Sequence, residues 1–355
     1  MTAPRDGAWY LLEQIPGPLL DWYHRSARVL PWRSHPTPYR VWISEIMLQQ
    51  TRVEAAKPYY LRFLEALPDV PALAACPEDT LLKLWEGLGY YSRARNLQKA
   101  ARLVMERHGG ELPASFQALR ALPGVGDYTA GAIASIAFGL PCPAVDGNVL
   151  RVTSRVTASY EDIGGAKIKV QVGDLIRKIL PPQPGDFNQA LMELGACVCL
   201  PNGEPLCGDC PLGDICQAKK LGLQGELPVK APKKARRVQQ LTVLLLRDEK
   251  GRLALRRRPD AGLLAGMWEP VNLPGRLTSE EVAAAVAGMG LTPLEVAPLP
   301  SGRHVFTHVE WEMTAWAVRA AGAGAGVVWA APGELEVGYP LPSAFRQAGW
   351  WPAEG

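Results

Sequence analysis

Cys199, Cys207, Cys210 and Cys216 stand with seven, two and five residues between them. Four thiolates in so short a loop can be drawn onto one centre, which suits zinc or an iron–sulfur cubane. Zinc favours two symmetric CxxC knuckles, whereas this series has a single CxxC. Two carboxylates form the second chemical signal. Glu45 lies in VWISEIML among Val41, Trp42, Ile46 and Leu48. Burial there would raise its pKa and keep a proton ready to donate, although a solvated glutamate on an amphipathic helix is the simpler reading. Asp146, in PAVDGNVLRV, reads as a helix N-cap worth about 1 kcal/mol, a role compatible with facing a reacting centre. An acid and an anion in contrasting settings suit a reaction that passes through an oxocarbenium-like cation.

These residues need scaffolding, and from about residue 8 to 218 the chain reads as helices punctuated by Pro and Gly. Thr37-Pro38 opens a helix carrying YRVWISEIMLQQ, Pro77-Glu78-Asp79 opens another through Trp85, and Ser92 caps a third that stops at Gly109-Gly110. Residues 119–138, LRALPGVGDYTAGAIASIAF, read as a helical hairpin. Gly124 and Gly126, flanking Val125, are expected to turn at positive φ and to open backbone N–H groups to phosphate at the second helix's start. Residues 219–237 hold seven Lys or Arg, two Pro and two Gly without an apolar period, and are expected to be a basic linker. Beyond them the period becomes two. QQLTVLLL and RLALRRR read as strands about a turn at Glu249-Lys250-Gly251, residues 304–318 alternate, and 278–288 form a capped helix.

The 355 residues, 48% apolar, call for two domains, and the net charge of +3 leaves any basic footprint to be local. The expected division is a helical domain at 1–218 with its cysteine loop at 197–216, the linker at 219–237, and an α+β domain at 238–355. No segment reads as a secretory leader or as the roughly 18 apolar residues of a membrane helix. A reducing cytoplasm follows as the expected compartment, where clustered cysteines hold metal rather than form disulfides. Cys76, Cys142 and Cys197 are expected to be buried thiols.

WISEIMLQQTRV closely resembles the segment bearing the catalytic acid in the MutY family of adenine DNA glycosylases. The cysteine series resembles the iron–sulfur loop of the wider endonuclease III superfamily, with a first gap one residue longer here. By that resemblance Cys199, Cys207, Cys210 and Cys216 hold a [4Fe-4S] cluster, with Lys219 and Lys220 beside it facing phosphates. Residues 122–131 resemble the family's helix–hairpin–helix. Glu45 is implied as the general acid and Asp146 as the group that faces the sugar C1′, stabilising the cation or bonding to it transiently. Tyr128 stands where the superfamily's lyases carry a lysine nucleophile, so base release without efficient strand cleavage is implied. Asn148 matches the asparagine that orients the site.

The flipped adenine is expected to lie against Trp32, Arg33 and Gln189. Gln50-Thr51 and Leu88-Gly89-Tyr90, with Arg93 and Arg95 alongside, resemble the wedge and the contacts to the opposing 8-oxoguanine. The C-terminal region resembles a Nudix-like domain without its magnesium-holding glutamate series, since SEEVAAAVAG has only Glu280 and Glu281. There Phe306-Thr307-His308 matches a lesion-sensing turn, with threonine in place of serine. The implied fold is therefore an all-α helix–hairpin–helix glycosylase region plus a C-terminal α+β Nudix-like domain. The implied partner is double-stranded DNA holding A:8-oxoguanine or A:G mispairs, bound by a monomer in a bacterial-type cytoplasm at the nucleoid. A thymine-mismatch glycosylase and a non-catalytic DNA-binding scaffold are the rival readings.

Overall fold

A computed structural model describes residues 8–232 and 235–351. Lys233-Lys234 of the expected linker, the first seven residues and the last four lie outside the described residues. The chain forms two compact units, residues 1–74 with 96–232 and residues 75–95 with 233–355. The division differs from the expected linear one, because residues 75–95 are grouped with the C-terminal sheet.

The first unit is helical. Thr37 caps the Pro38–Leu48 helix, its Oγ1 accepting from the Arg40 N–H at 3.3 Å. Tyr39, Val41, Trp42, Ile43, Ile46 and Met47 are all buried, so this is a core helix and Glu45 is carried inward with them. The helix ends at Leu48, short of the expected run through Gln50, which sits at φ 58°. The Asp127–Phe138, Gly147–Thr157 and Pro184–Cys197 helices complete the frame of the site. Gly195 lets two of them meet closely: a Cβ there would stand 2.5 Å from that of Asn148.

The second unit carries β1 (Arg237–Arg247), β2 (Leu253–Arg257), β3 (Trp268–Pro274), β4 (Thr292–Val305), β5 (Val309–Ala321) and β6 (Val328–Ala330). They form one mixed sheet in the order β4-β5-β1-β3-β2-β6. The expected β1–β2 hairpin pairs only at Arg247↔Leu253, while β1 runs parallel to β5 from Arg237↔Val309 to Arg247↔Arg319. A strand at the sheet's centre is covered on both faces. Val243 and Leu245 enter one core and Leu244 and Leu246 the other, so the LTVLLL run is continuous rather than alternating. The stretch expected as one strand over 304–318 divides at residues 306–308, where the Phe306 N–H reaches back to Val309 O at 2.8 Å. The Ser279–Gly288 helix is closed by a Thr278/Glu281 capping box, as expected.

Candidate active site

Glu45 is 6% exposed, and its Oε2 accepts the Tyr128 hydroxyl at 2.6 Å. Tyr128 comes from the first turn of the Asp127–Phe138 helix. Burial pushes the Glu45 carboxyl up to about 7, against the opposing pull of the Tyr128 bond and with a further push from the Asp146 charge. Burial also holds Tyr128 well above the usual phenol range, so it stays a neutral hydroxyl. Asp146 is the N-cap that the sequence suggests: Oδ1 accepts the Asn148 and Val149 N–H groups, both at 2.9 Å, and Oδ2 accepts Asn148 Nδ2 at 2.6 Å. Burial raises its pKa, opposed by these same bonds. The carboxylates face one pocket, lined also by Trp32, Arg33, Tyr128, Asn148 and Gln189. The seven residues named from sequence for catalysis and for the adenine pocket therefore converge.

Two further pocket residues escaped the sequence reading. Glu193, with a side chain 2% exposed, accepts from Arg28 Nε at 2.7 Å and Nη2 at 3.0 Å and from Arg33 Nη2 at 2.9 Å. Burial alone would raise its pKa, but these two guanidiniums hold it down at about 2. Arg33 also donates to Gln189 Oε1 at 3.2 Å and to Arg28 O at 3.1 Å, and lies 5.5 Å over the Tyr23 ring. It is thereby fixed from several directions. The available signal was spacing: Gln189 and Glu193 are four apart on one helix and face the same way. Trp32 is wall and core together, buried and edge-to-face with Tyr60 at 5.3 Å.

From the pocket a chain of bonds runs to the cysteine loop. Arg151 Nη2 donates to Asn148 Oδ1 at 2.8 Å and to Gly195 O at 2.7 Å, while its Nε donates to Cys199 O at 2.8 Å. Cys199, Cys207, Cys210 and Cys216 line one cavity with Arg155, Lys219 and Gln224. Arg155 Nη1 donates to Cys199 Sγ at 3.3 Å. Cys197 is directed elsewhere, its Sγ 3.7 Å from Glu193 Oε1. Cys76 is buried as expected, whereas Cys142 and Cys197 are only half-buried. Among the described residues, no three His, Cys, Asp or Glu side chains close on the point that a single ion requires.

The expected hairpin joins the Phe116–Arg120 and Asp127–Phe138 helices. Gly124 sits at φ +77°, where a Cβ would also meet that of Asn96 at 2.7 Å. Gly126 departs from the expectation: it is the N-cap at φ −93°, with an extended ψ of −178°. Val125 is buried, Gln50 is exposed at the end of its helix, and Thr51 lines the pocket.

In the second unit Leu88 is buried and Tyr90 is 44% exposed at φ 48°. Arg93 and Arg95, which flank this segment in the sequence, are engaged within the protein. Arg93 is buried and donates to Leu88 O and Gly89 O, and Arg95 is held by Glu78 and Ala265 O. Phe306 packs edge-to-face between His304 at 4.6 Å and Trp311 at 4.8 Å, leaving Thr307 and His308 exposed. The Thr307 hydroxyl lies 2.9 Å from Tyr90 OH. Glu281 is engaged in the helix cap, accepting the Thr278 N–H at 2.8 Å.

Residues 43–178 match the family described as HhH-GPD superfamily base excision DNA repair protein, and residues 242–348 match the NUDIX domain. The adenine DNA glycosylase of Homo sapiens is 39% identical over 308 residues, covering 71% of this chain and 56% of that protein. The Mus musculus adenine DNA glycosylase is 36% identical over 355 residues, covering 82% of this chain and 68% of that one. Among solved structures, a thermostable thymine-DNA glycosylase matches at a TM-score of 0.52 and 28% identity, over 60% of this chain and 97% of that one. Endonuclease III in a non-covalent DNA complex matches at 0.51 and 25%, over 60% and 98%. With its helical region, its Nudix-like sheet and relatives of this similarity over most of its length, the chain belongs to the adenine DNA glycosylase family of base-excision-repair enzymes.

Proposed function

We propose that this protein hydrolyses the N-glycosidic bond of adenine mispaired with 8-oxoguanine or guanine in double-stranded DNA, acting as a monomer and leaving an abasic site. The observation that carries the reading is the Tyr128–Glu45 bond in a pocket shared with Asp146. Glu45, pushed to about 7, is protonated in about half of the molecules at neutral pH, and in that form gives its proton to a ring nitrogen of the leaving adenine. As the bond between C1′ and the base breaks, its electron pair leaves with adenine and Asp146 faces the cation that remains. Water adds to C1′ and releases a proton. Arg33 and Gln189, braced by Glu193 and Arg28, offer hydrogen-bonding groups to the edge of a flipped base, with Trp32 as the wall. Leu88 and Tyr90, with the Phe306-Thr307-His308 turn, serve the base opposite; Gln50 and Thr51 contact the duplex, and the Gly124-Val125-Gly126 turn takes a phosphate.

Single-turnover incubation with a duplex holding one A:8-oxoguanine pair tests this, with strand breaks expected only after alkali. Breaks without alkali would indicate a lyase, and no abasic site would support the binding-scaffold reading. Tyr128 is the residue that forbids imine chemistry. Tyr128→Lys, which puts an amine beside Glu45, is expected to give a DNA adduct trapped by borohydride, and failure to trap would show that a lysine at this position is insufficient.

The cysteine loop fits a [4Fe-4S] cluster, because four thiols surround one cavity and Arg155 offers an N–H to the Cys199 sulfur. Such a group would brace the loop and, through Arg151, the helix that Asp146 caps. About four iron atoms per chain are expected after anaerobic purification. Zinc without iron would overturn the assignment.

A further inference from the structure

Tyr90 and Thr307, far apart in sequence, meet hydroxyl to hydroxyl, and neither backbone holds its position unaided. Gly87, Gly89 and Tyr90 all have positive φ, at 100°, 71° and 48°. Tyrosine there is strained by about 1–2 kcal/mol, so the surroundings must impose the conformation. Part of that is local: Trp85 Nε1 donates to Gly89 O at 3.2 Å, and Arg93 Nη2 to Leu88 O and Gly89 O at 3.1 and 3.0 Å. Part comes from the C-terminal segment. Arg346 grips Glu86 Oε1, with its Nε at 3.1 Å and its Nη2 on the same oxygen. Glu86, its side chain only 12% exposed, also pairs with Lys83 at 2.7 Å, and Lys83 donates to Leu335 O at 3.2 Å.

The other half is held in a parallel way. The linker's last residues reach the 306–308 turn: Arg236 Nε donates to Phe306 O at 3.1 Å, and the Arg237 N–H donates to His308 O at 3.1 Å. Phe306 is clasped between His304 and Trp311, and its carbonyl is the atom that Arg236 holds.

We infer that Arg346 and Arg236 are specificity-determining positioning residues: Arg346 through Glu86, and Arg236 through the Phe306 carbonyl, set the Tyr90 and Thr307 hydroxyls at the register that discriminates 8-oxoguanine from guanine opposite adenine. The inference rests on the proposed role of these hydroxyls in reading the opposing base. Both guanidiniums act through backbone and carboxylate contacts, and neither belongs to the pocket around Glu45. Loss of one charge-assisted bond is of the size that shifts a ratio about tenfold.

The experiment compares single-turnover excision from A:8-oxoguanine and A:G duplexes at saturating protein. Arg346→Ala and Arg236→Ala are each expected to lower the ratio of the two rates about tenfold while the A:G rate stays at the wild-type level. Arg346→Lys, which keeps a cation for Glu86 and leaves the Lys83 pair in place, and Arg236→Lys, which keeps a donor within reach of Phe306 O, are each expected to restore part of the ratio. An unchanged ratio in both alanine variants overturns the inference. So does an equal fall on both substrates, which would mark the pairs as supports of the fold, or lysine variants that rescue nothing at either position. A wild-type protein with no preference for 8-oxoguanine would overturn the underlying reading itself, a result recognisable before any variant is made.

Discussion

Glu45→Gln is expected to lower adenine release by about 10³-fold while leaving the affinity for mismatched duplex within a few-fold of wild type. The amide retains the volume and still accepts the Tyr128 hydroxyl, so packing around the side chain is kept and the transferable proton is lost. The same carboxyl sets the alkaline limb of the pH profile. Its active form is protonated, and burial places its pKa at about 7, so activity is present below neutrality and falls as pH rises through that value. Asp146 must be ionised, and burial raises its pKa from the ordinary carboxylate range, so activity falls on the acid side as it takes up a proton. Single-turnover rates across pH 5 to 9 check both limbs. A Glu45→Gln variant within tenfold of wild type would remove Glu45 from the role of acid.

The same substitution is expected to stabilise the fold. A carboxyl whose folded pKa lies above its unfolded value binds its proton more tightly when folded, so its contribution is full at low pH and is lost as pH rises through about 7. Above that pH the buried anion disfavours folding by about 3 kcal/mol, a burden that glutamine lacks. Glu45→Gln should therefore melt several degrees higher than wild type at pH 8.5, with the gain shrinking as pH falls and vanishing below the ordinary glutamate value of 4.5. Catalysis and stability make opposite demands at this position, as they do where a charge is buried for its reactivity.

What could be read from the sequence was local. Thr37-Pro38, the Thr278/Glu281 box and Asp146 are caps whose residue types announce them, and each appears where expected. Glu45 was legible through its apolar neighbours, because a helix buried nearly all round carries its one acid inward. The features that escaped depend on tertiary pairing. Glu193 is a core anion only because Arg28 and Arg33 arrive from distant sequence, and Arg93 and Arg95, which stand beside the wedge-like segment in the sequence, are taken up by Gly89 O and Glu78. Strand β4 was hidden by Pro293, Pro298 and Pro300, which a strand tolerates at the edge of a sheet, where β4 lies. Nothing in residues 75–95 taken alone indicates that they belong with a sheet formed over a hundred residues later.

Asp146 carries two roles that a pair of substitutions can separate. Asparagine caps helices as well as aspartate does, so Asp146→Asn should keep the bonds from the Asn148 and Val149 N–H groups and with them the start of the helix. It removes the negative charge facing the cation, and it turns an amide donor toward Asn148 Nδ2. Asn148 cannot answer by rotating its own amide without losing Arg151, which donates to its Oδ1 at 2.8 Å. Adenine release is therefore expected to fall by about 10³-fold with the fold intact. Asp146→Ala loses the charge and the cap together, so it should match the asparagine variant in activity while losing about 1 kcal/mol of stability, a drop of roughly 2–4 °C. If asparagine kept activity within tenfold of wild type and alanine lost it in step with melting temperature, Asp146 would be a cap and nothing more. If both variants lose the chemistry and only alanine loses the cap, the carboxylate does both jobs: Oδ1 begins the helix, and the charge it shares with Oδ2 holds the sugar cation.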